Sequence, residues 1–315
     1  MRGQWFGACV RLGYSSRQAR RHVLLTACCA LSLAAADDPK EIVRRALQRD
    51  AHNDEISRQY TFLQRNDVRT LDGGGNVKHR DLQTFDITLL EGSPYSRLVA
   101  RDDKPLPPQE EKKQQERLKK NLGQRRTETP AQRQQRIADW ERKRNREREN
   151  LKEVPDAFDF RLAGEEQIDG VPVWVIEGTP HSGFKPKSKE AAYFPKVKGR
   201  MWVAKSDYTP VRIAVETLDT ISIGAFLVRL AKGGHIGVEF ARVNDEVWLP
   251  KHVSVTASAR VLLVKGFHLD ADFTFSGYKK FSAESRIVDI GQWLLDRGCK
   301  GLSTLSRRTA TAALP

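Results

Sequence analysis

The sequence predicts a mainly β fold with helices (α+β), in which a curved antiparallel sheet carries an N-terminal helix and an inserted, charged helical hairpin. The first supporting observation lies in residues 199–281, where four segments alternate apolar and polar residues with a period of two. Successive strand side chains point to opposite faces, so each segment is typical of a strand with one apolar and one wet face. The second observation is that short, turn-rich connectors join these segments, which favours antiparallel neighbours.

Twelve of the apolar positions in these four segments are the candidate lining of a binding face. They are Val211, Ile213, Val215, Ile236, Val238, Phe240, Val253, Val255, Phe267, Leu269, Phe273 and Phe275. The pattern is compatible with two structures, a fully packed core or a face that stays open to a hydrophobic ligand. Burying one methylene group is worth about 0.8 kcal/mol, so an acyl chain exposed to water would gain considerably from such a face.

Further strands are predicted before and after a charged insert. They lie at about 60–71, 85–90, 95–100, 158–162 and 171–177. Residues 221–231 have two interpretations, because their apolar residues fit either a hairpin with the segment 236–240 or a short helix. The Gly233-Gly234 turn before that segment favours the hairpin.

Residues 38–57 predict the N-terminal helix. Asp38 is a suitable N-cap, Pro39 fits the first helical position, and Glu41 stands three residues after the cap. An apolar stripe at helical spacing follows, formed by Ile42, Val43, Ala46 and Leu47. We expect this stripe to pack on the sheet.

The composition changes in residues 109–153, which are rich in Gln, Glu, Lys and Arg. Good helix formers and mixed charges four residues apart predict two helices here, at about 109–122 and 130–150. Thr129 followed by Pro130 marks the start of the second helix. Three roles are compatible with this insert: a solvated charged hairpin, a lid over the open edge of the sheet, or a basic arm that contacts anionic lipid headgroups.

The net charge of +14 is concentrated in two places. Residues 1–36 contain five Arg and no acidic residue, and residues 112–152 contain 15 Lys and Arg against six Asp and Glu. The rest of the chain is balanced, with 34 residues of each sign. A neutral body with one basic segment argues against a fold that binds nucleic acid as a whole.

Residues 1–36 are predicted to be a signal peptide, because basic residues precede an apolar run at 23–36 that ends in three alanines. The mature protein would comprise one domain at 37–282 and a C-terminal helix or tail at 283–315. We therefore expect a periplasmic protein. Cys28 also follows a lipobox-like Leu-Thr-Ala string, so lipid anchoring at this residue is the alternative.

We find no catalytic or metal-binding signature in the sequence. The seven histidines do not occur at zinc-ligand spacings, and the His79-Arg80-Asp81 string lacks the other elements of a kinase. The glycines at 73–75 lie between strands, whereas a phosphate-binding loop precedes a helix. The sequence therefore predicts a protein that is not an enzyme and that needs no cofactor or metal.

Four short strings, together with the order of elements, carry a resemblance to a known family. They are residues 170–176, 199–204, 207–212 and 247–250, which read GVPVWVI, GRMWVA, DYTPVR and VWLP. In this layout the chain resembles uncharacterised secreted bacterial proteins related to the LolA/LolB outer-membrane lipoprotein-sorting carriers. The resemblance implies a strongly curved, incompletely closed sheet, a half-barrel, which wraps around helices and holds acyl chains.

The expected function is therefore non-catalytic binding or transfer of lipid, or of lipoprotein acyl chains, on the concave apolar face of the sheet. The alternative is an envelope structural or interaction protein with a packed sheet, whose basic helical arm at 112–152 binds a protein or an anionic membrane surface. In either case we expect a monomer that does not bind nucleic acid.

Overall fold

The computed structural model describes residues 38–189, 191–223, 228–261 and 265–281. The predicted leader, the tail at 283–315 and Cys28 lie outside the described residues. The strands are β1 Tyr60–Leu71, β2 Val77–Leu90, β3 Ser93–Arg101, β4 Lys104–Pro105, β5 Phe158–Ile168, β6 Val171–Pro180, β7 Val197–Ala204, β8 Pro210–Thr217, β9 Ile221–Ile223, β10 Val228–Leu230, β11 His235–Val243, β12 Val247–Val261 and β13 Lys265–Lys280. The α-helices are α1 Pro39–Ser57, α2 Pro108–Arg126, α3 Pro130–Glu149 and α4 Val154–Ala157, with 3-10 turns at Asn150–Glu153 and Ala191–Lys196.

The strands form one antiparallel sheet in the order β4-β3-β2-β1-β13-β12-β11-β8-β7-β6-β5. Within the described residues this path does not close between β4 and β5, so the sheet is open. The predicted fold class, an unclosed antiparallel sheet with an N-terminal helix and a helical insert, is confirmed.

The expected hairpin between residues 221–231 and β11 is wrong in its pairing. β10 pairs with β9 on one side and with β12 on the other. β11 cannot pair with a third strand, because it already pairs with β8 on one side and with β12 on the other. β10 instead joins β12 beyond the last residue of β12 that β11 reaches.

Helix α1 lies on the sheet through the apolar stripe that the sequence predicts. Ile42, Val43 and Ala46 are at most 2% exposed, and they pack with Trp174, Ile176 and Val203 of β6 and β7. Near its C-terminus the helix also holds the start of β12, since the Asn53 side chain hydrogen-bonds both the N–H and the carbonyl of Trp248. Ile56 packs beside Tyr60, Val247 and Leu249.

The insert forms the two helices predicted for it. Thr129 caps α3 in a reciprocal capping box, in which the backbone N–H of Gln132 donates to Thr129 Oγ1 and the Gln132 side chain accepts from the Thr129 N–H. The insert leaves β4 at one edge of the sheet and returns at β5, the opposite edge. Among the described residues, no helix combines the length and apolar character needed to span a bilayer.

One end of the insert is fixed to the β2–β3 turn. Arg125 donates to the carbonyls of Leu90 and Ser93, at 2.6 and 3.0 Å. Arg136 donates to Ser93 Oγ at 2.6 Å and pairs with Glu128. Gly92 makes this approach possible, because a Cβ at that position would stand 2.8 Å from the Cδ1 of Ile137. Its φ of 86° is also a conformation that glycine adopts without strain.

The other end of the insert is fixed to α1 by ion pairs. Arg144 hydrogen-bonds Asp54, and Arg148 pairs with Asp50 at 2.7 Å and with Asp54 at 3.6 Å. Asp54 is 9% exposed and also receives Arg58. Burial raises the pKa of Asp54, but the charges and hydrogen bonds of these arginines outweigh it, so the pKa is held below its ordinary value.

Truncation of Ile176 to alanine should test the contact between α1 and the sheet. Ile176 is 1% exposed in the cluster that α1 covers, so Ile176→Ala leaves a cavity there. We expect a loss of about 2–5 kcal/mol in the free energy of unfolding. Urea denaturation measures it, and a loss below about 1 kcal/mol would contradict the packing.

The Asp54 ion pairs predict a pH-dependent difference in stability. At pH 6 we expect Asp54→Asn to lower the free energy of unfolding by about 1–3 kcal/mol, because it removes the carboxylate partner of the half-buried Arg58 and Arg144. A carboxyl group with a lowered folded-state pKa stabilises above its unfolded pKa, and this contribution is lost as the pH falls below about 3.9. The melting temperatures of wild type and Asp54→Asn should therefore converge as the pH falls from 4 towards acid denaturation. A difference in melting temperature that does not change with pH would contradict the role given to the Asp54 ion pairs.

Candidate functional site

Cross-strand register brings most of the predicted lining residues side by side. In one row Ile213 of β8 stands opposite Val238, Val238 opposite Val253, and Val253 opposite Phe273. A second row joins Val215, Ile236, Val255 and Ala271 on the same four strands. Directly paired residues lie on the same side of a sheet, so both rows belong to one surface.

β13 extends this surface in both directions, since its pairing with β12 runs without a register shift. Ten of the twelve predicted residues share the surface, which we call the apolar face. They are Ile213, Val215, Ile236, Val238, Val253, Val255, Phe267, Leu269, Phe273 and Phe275.

The apolar face has a covered part and an open part. Under α1 its continuation on β6 and β7 is fully buried, with Ile176 at 1% and Val203 at 0% exposure. On β8, β11, β12 and β13 the ten residues are only partly buried, and Ile236 is 39% exposed. These contiguous, partly exposed aliphatic and aromatic side chains form the candidate binding surface.

Two predicted lining residues, Val211 and Phe240, lie on the opposite side of the sheet. Val211 is 3% exposed, and Phe240 packs against the same cluster, which also contains Trp202 and Trp248. Each residue adjoins a register shift, one in the β7–β8 pairing and one in the β11–β12 pairing. A bulge inserts an extra residue into one strand and so changes the face on which the next side chain points.

The sequence contains a signal for both bulges. Pro210 pairs with Val203 at the first bulge, and Pro250 pairs with Phe240 at the second. Proline cannot donate a ladder hydrogen bond, so within sheets it is confined to edges, strand starts and bulges. The sequence prediction assumed uninterrupted alternation through Val211 and Phe240, and therefore assigned both residues to the wrong face.

Beyond this buried cluster, the opposite side of the sheet carries charged side chains, and we call it the wet face. Arg212 pairs with Glu239 at 3.3 Å, and its guanidinium lies 5.5 Å from the ring centroid of Trp202. On β13, the Asp272 carboxylate pairs with Arg69 and contacts the ring of His252. Along the β12–β13 pairing, charged and apolar side chains thus lie on opposite faces of the same strands.

One contact of a kind used in catalysis appears on the wet face. Ser258 Oγ lies 2.8 Å from His268 Nδ1, because the two residues are directly opposite each other in β12 and β13. Spacing along the sequence could not show this pair, which depends on the register. The histidine is exposed, and we interpret the contact as an ordinary cross-strand hydrogen bond.

No family model and no curated protein matches the chain. Several solved structures do. A putative outer membrane lipoprotein-sorting protein domain from Vibrio parahaemolyticus is 11% identical with a TM-score of 0.33, and the match covers 81% of this chain and 100% of that one. A LolA superfamily protein from Nitrosomonas europaea is 12% identical with a TM-score of 0.28, covering 81% and 97%. A DUF1329 family protein from Desulfovibrio piger is 12% identical with a TM-score of 0.29, covering 79% and 95%. The first two names are those of the group that the sequence resembles.

Thiol labelling should separate the two faces. We expect Ile236→Cys to react with a maleimide in the folded protein at least ten-fold faster than Val211→Cys, because the first position is 39% exposed and the second 3%. Peptide mass mapping after timed labelling identifies the modified cysteine, and urea-unfolded samples show whether both thiols react when exposed. Similar rates in the folded state would place both residues on one accessible surface.

Proposed function

We propose that the protein binds the acyl chains of a lipid or of a lipidated protein on its apolar face, in the periplasm, without catalysis. The observation that carries this proposal is the partial exposure of ten aligned apolar side chains on four adjacent strands. The predicted leader at 1–36 supports the location.

The dimensions of the apolar face suit an acyl chain. From Phe267 to Phe275 the strand advances eight residues, or about 27 Å at 3.4 Å per residue. The hydrocarbon core of a bilayer, which holds two acyl chains end to end, is about 30 Å thick. A single acyl chain can therefore lie along the face and remain within its length.

The energetics favour binding over leaving the face exposed. Each methylene removed from water contributes about 0.8 kcal/mol, so a chain of about twelve methylenes could gain on the order of 10 kcal/mol before entropic costs. The face gains as well, since side chains such as Ile236 and Phe273 lose their contact with water. A sheet packed only for structural purposes would have buried these side chains, as α1 buries Ile176 and Val203.

The test is mass spectrometry of organic extracts from protein purified out of an envelope fraction without detergent. We expect wild type to carry a phospholipid or fatty acid in near-stoichiometric amount. Phe273→Asp places a charge on the apolar face, so its lipid content should fall at least ten-fold.

The matched control is Thr274→Asp, which adds the same charge one residue along on the wet face, opposite His252 and Arg65. This variant should keep its lipid. Circular dichroism establishes that both variants fold. If wild type carries no lipid even after incubation with an acylated peptide, or if both variants lose lipid equally, the proposal is wrong.

A further inference from the structure

We propose that helix α2 docks the protein on a membrane surface rich in anionic lipid headgroups. The inference deepens the proposed function, on which it rests, by naming the surface where the bound lipid is collected or delivered. It is carried by a set of lysine and arginine side chains that the fold itself does not use.

These cations occupy one side of α2. Residues 112–120 contain five Lys and Arg against the single acid Glu116. The five are Lys112, Lys113, Arg117, Lys119 and Lys120, and all are exposed. At about 100° per residue they span an arc of about 160° around the helix axis.

The other side of α2 is fixed to the protein. Leu118 is 7% exposed, and its direction lies opposite the centre of the basic arc. α2 is further held at its C-terminal end by the contacts of Arg125 with the carbonyls of Leu90 and Ser93. The basic side is therefore presented to solvent by an anchored helix.

Four arginines of α3 differ from these five cations of α2 in having structural partners. Arg133 pairs with Glu91, Arg136 with Glu128, and Arg144 and Arg148 with the acids of α1. Across the described ranges, none of the five α2 cations has a carboxylate within ion-pair distance. Their charge is thus available to an external anion.

The chemistry of this surface fits lipid headgroups. Four of the five cations are lysines, which act as mobile point charges rather than as planar forks that select one geometry. Juxtaposed basic residues are attracted to anionic leaflets within a Debye length, about 8 Å at physiological ionic strength. α2 contains no aromatic residue of the kind on which single-stranded nucleic acids stack.

The experiment measures co-sedimentation of the full chain with two kinds of vesicle. One kind is phosphatidylcholine alone, and the other is phosphatidylcholine with about 30% of the anionic lipid phosphatidylglycerol. We expect binding only to the anionic vesicles, weakening as salt rises. Replacing the four α2 lysines with glutamine (Lys112→Gln, Lys113→Gln, Lys119→Gln and Lys120→Gln together) should lower the partition coefficient at least ten-fold. Glutamine keeps the helix propensity, so α2 should remain folded.

The matched control removes four exposed lysines elsewhere and so changes the net charge equally: Lys185→Gln, Lys187→Gln, Lys189→Gln and Lys232→Gln. It should bind like wild type. Equal loss in both variants would show a diffuse charge effect, and binding to acidic polypeptide or DNA without binding to anionic vesicles would assign α2 to another partner. Either result overturns the inference.

The lipid content of the same samples separates the two proposals. If the α2 variant keeps its extracted lipid and loses vesicle binding, both proposals stand. If wild type binds anionic vesicles through α2 but carries no lipid, docking survives and the acyl-binding proposal fails. If the wild-type extract contains lipid but the protein does not bind vesicles, the acyl-binding proposal survives and the docking proposal fails.

Discussion

Cross-strand register over β8, β11, β12 and β13 is the constraint on which the apolar face depends. Because side chains alternate between faces with a period of two, a slip of one residue in any of these pairings would carry its apolar set to the wet face. The same slip would bring carboxylates such as Asp272 to the apolar side. The unbroken pairing of β12 with β13 over ten residue pairs opposes that slip.

Helix α1 decides how much of this surface remains open. Its stripe of Ile42, Val43 and Ala46 seals β6 and β7, while its C-terminal turns reach β12 through Asn53 and Ile56. On its charged face, α1 binds α3 through ion pairs of Asp50 and Asp54 with arginines of α3. One helix thus links the stable core, the open face and the insert.

The sequence predicted those features that depend on local patterns. Period-two alternation identified ten residues of the apolar face, and the Thr129-Pro130 pair marked the start of α3 because a capping box needs only local contacts. Features that depend on pairing between distant segments were missed: the displacement of Val211 and Phe240, the partner of β10, and the Ser258–His268 contact. The anchoring of Arg144 on Asp54 spans 90 residues and has no local signature.

The insert leaves the sheet at one edge and returns at the other, and the properties of these two edges bear on aggregation. Exposed edge strands recruit strands from other molecules, and an open sheet with an apolar face is doubly at risk. At one edge β4 pairs only with Ala100 and Arg101, so most of β3 is the outer strand, and Arg125 of the insert donates to its carbonyls at Ser93 and Pro94. β5, the opposite edge, is largely exposed and carries Glu165 and Glu166. The insert at one edge and the acidic side chains at the other both oppose strand pairing between molecules, which an open sheet with an apolar face would otherwise favour.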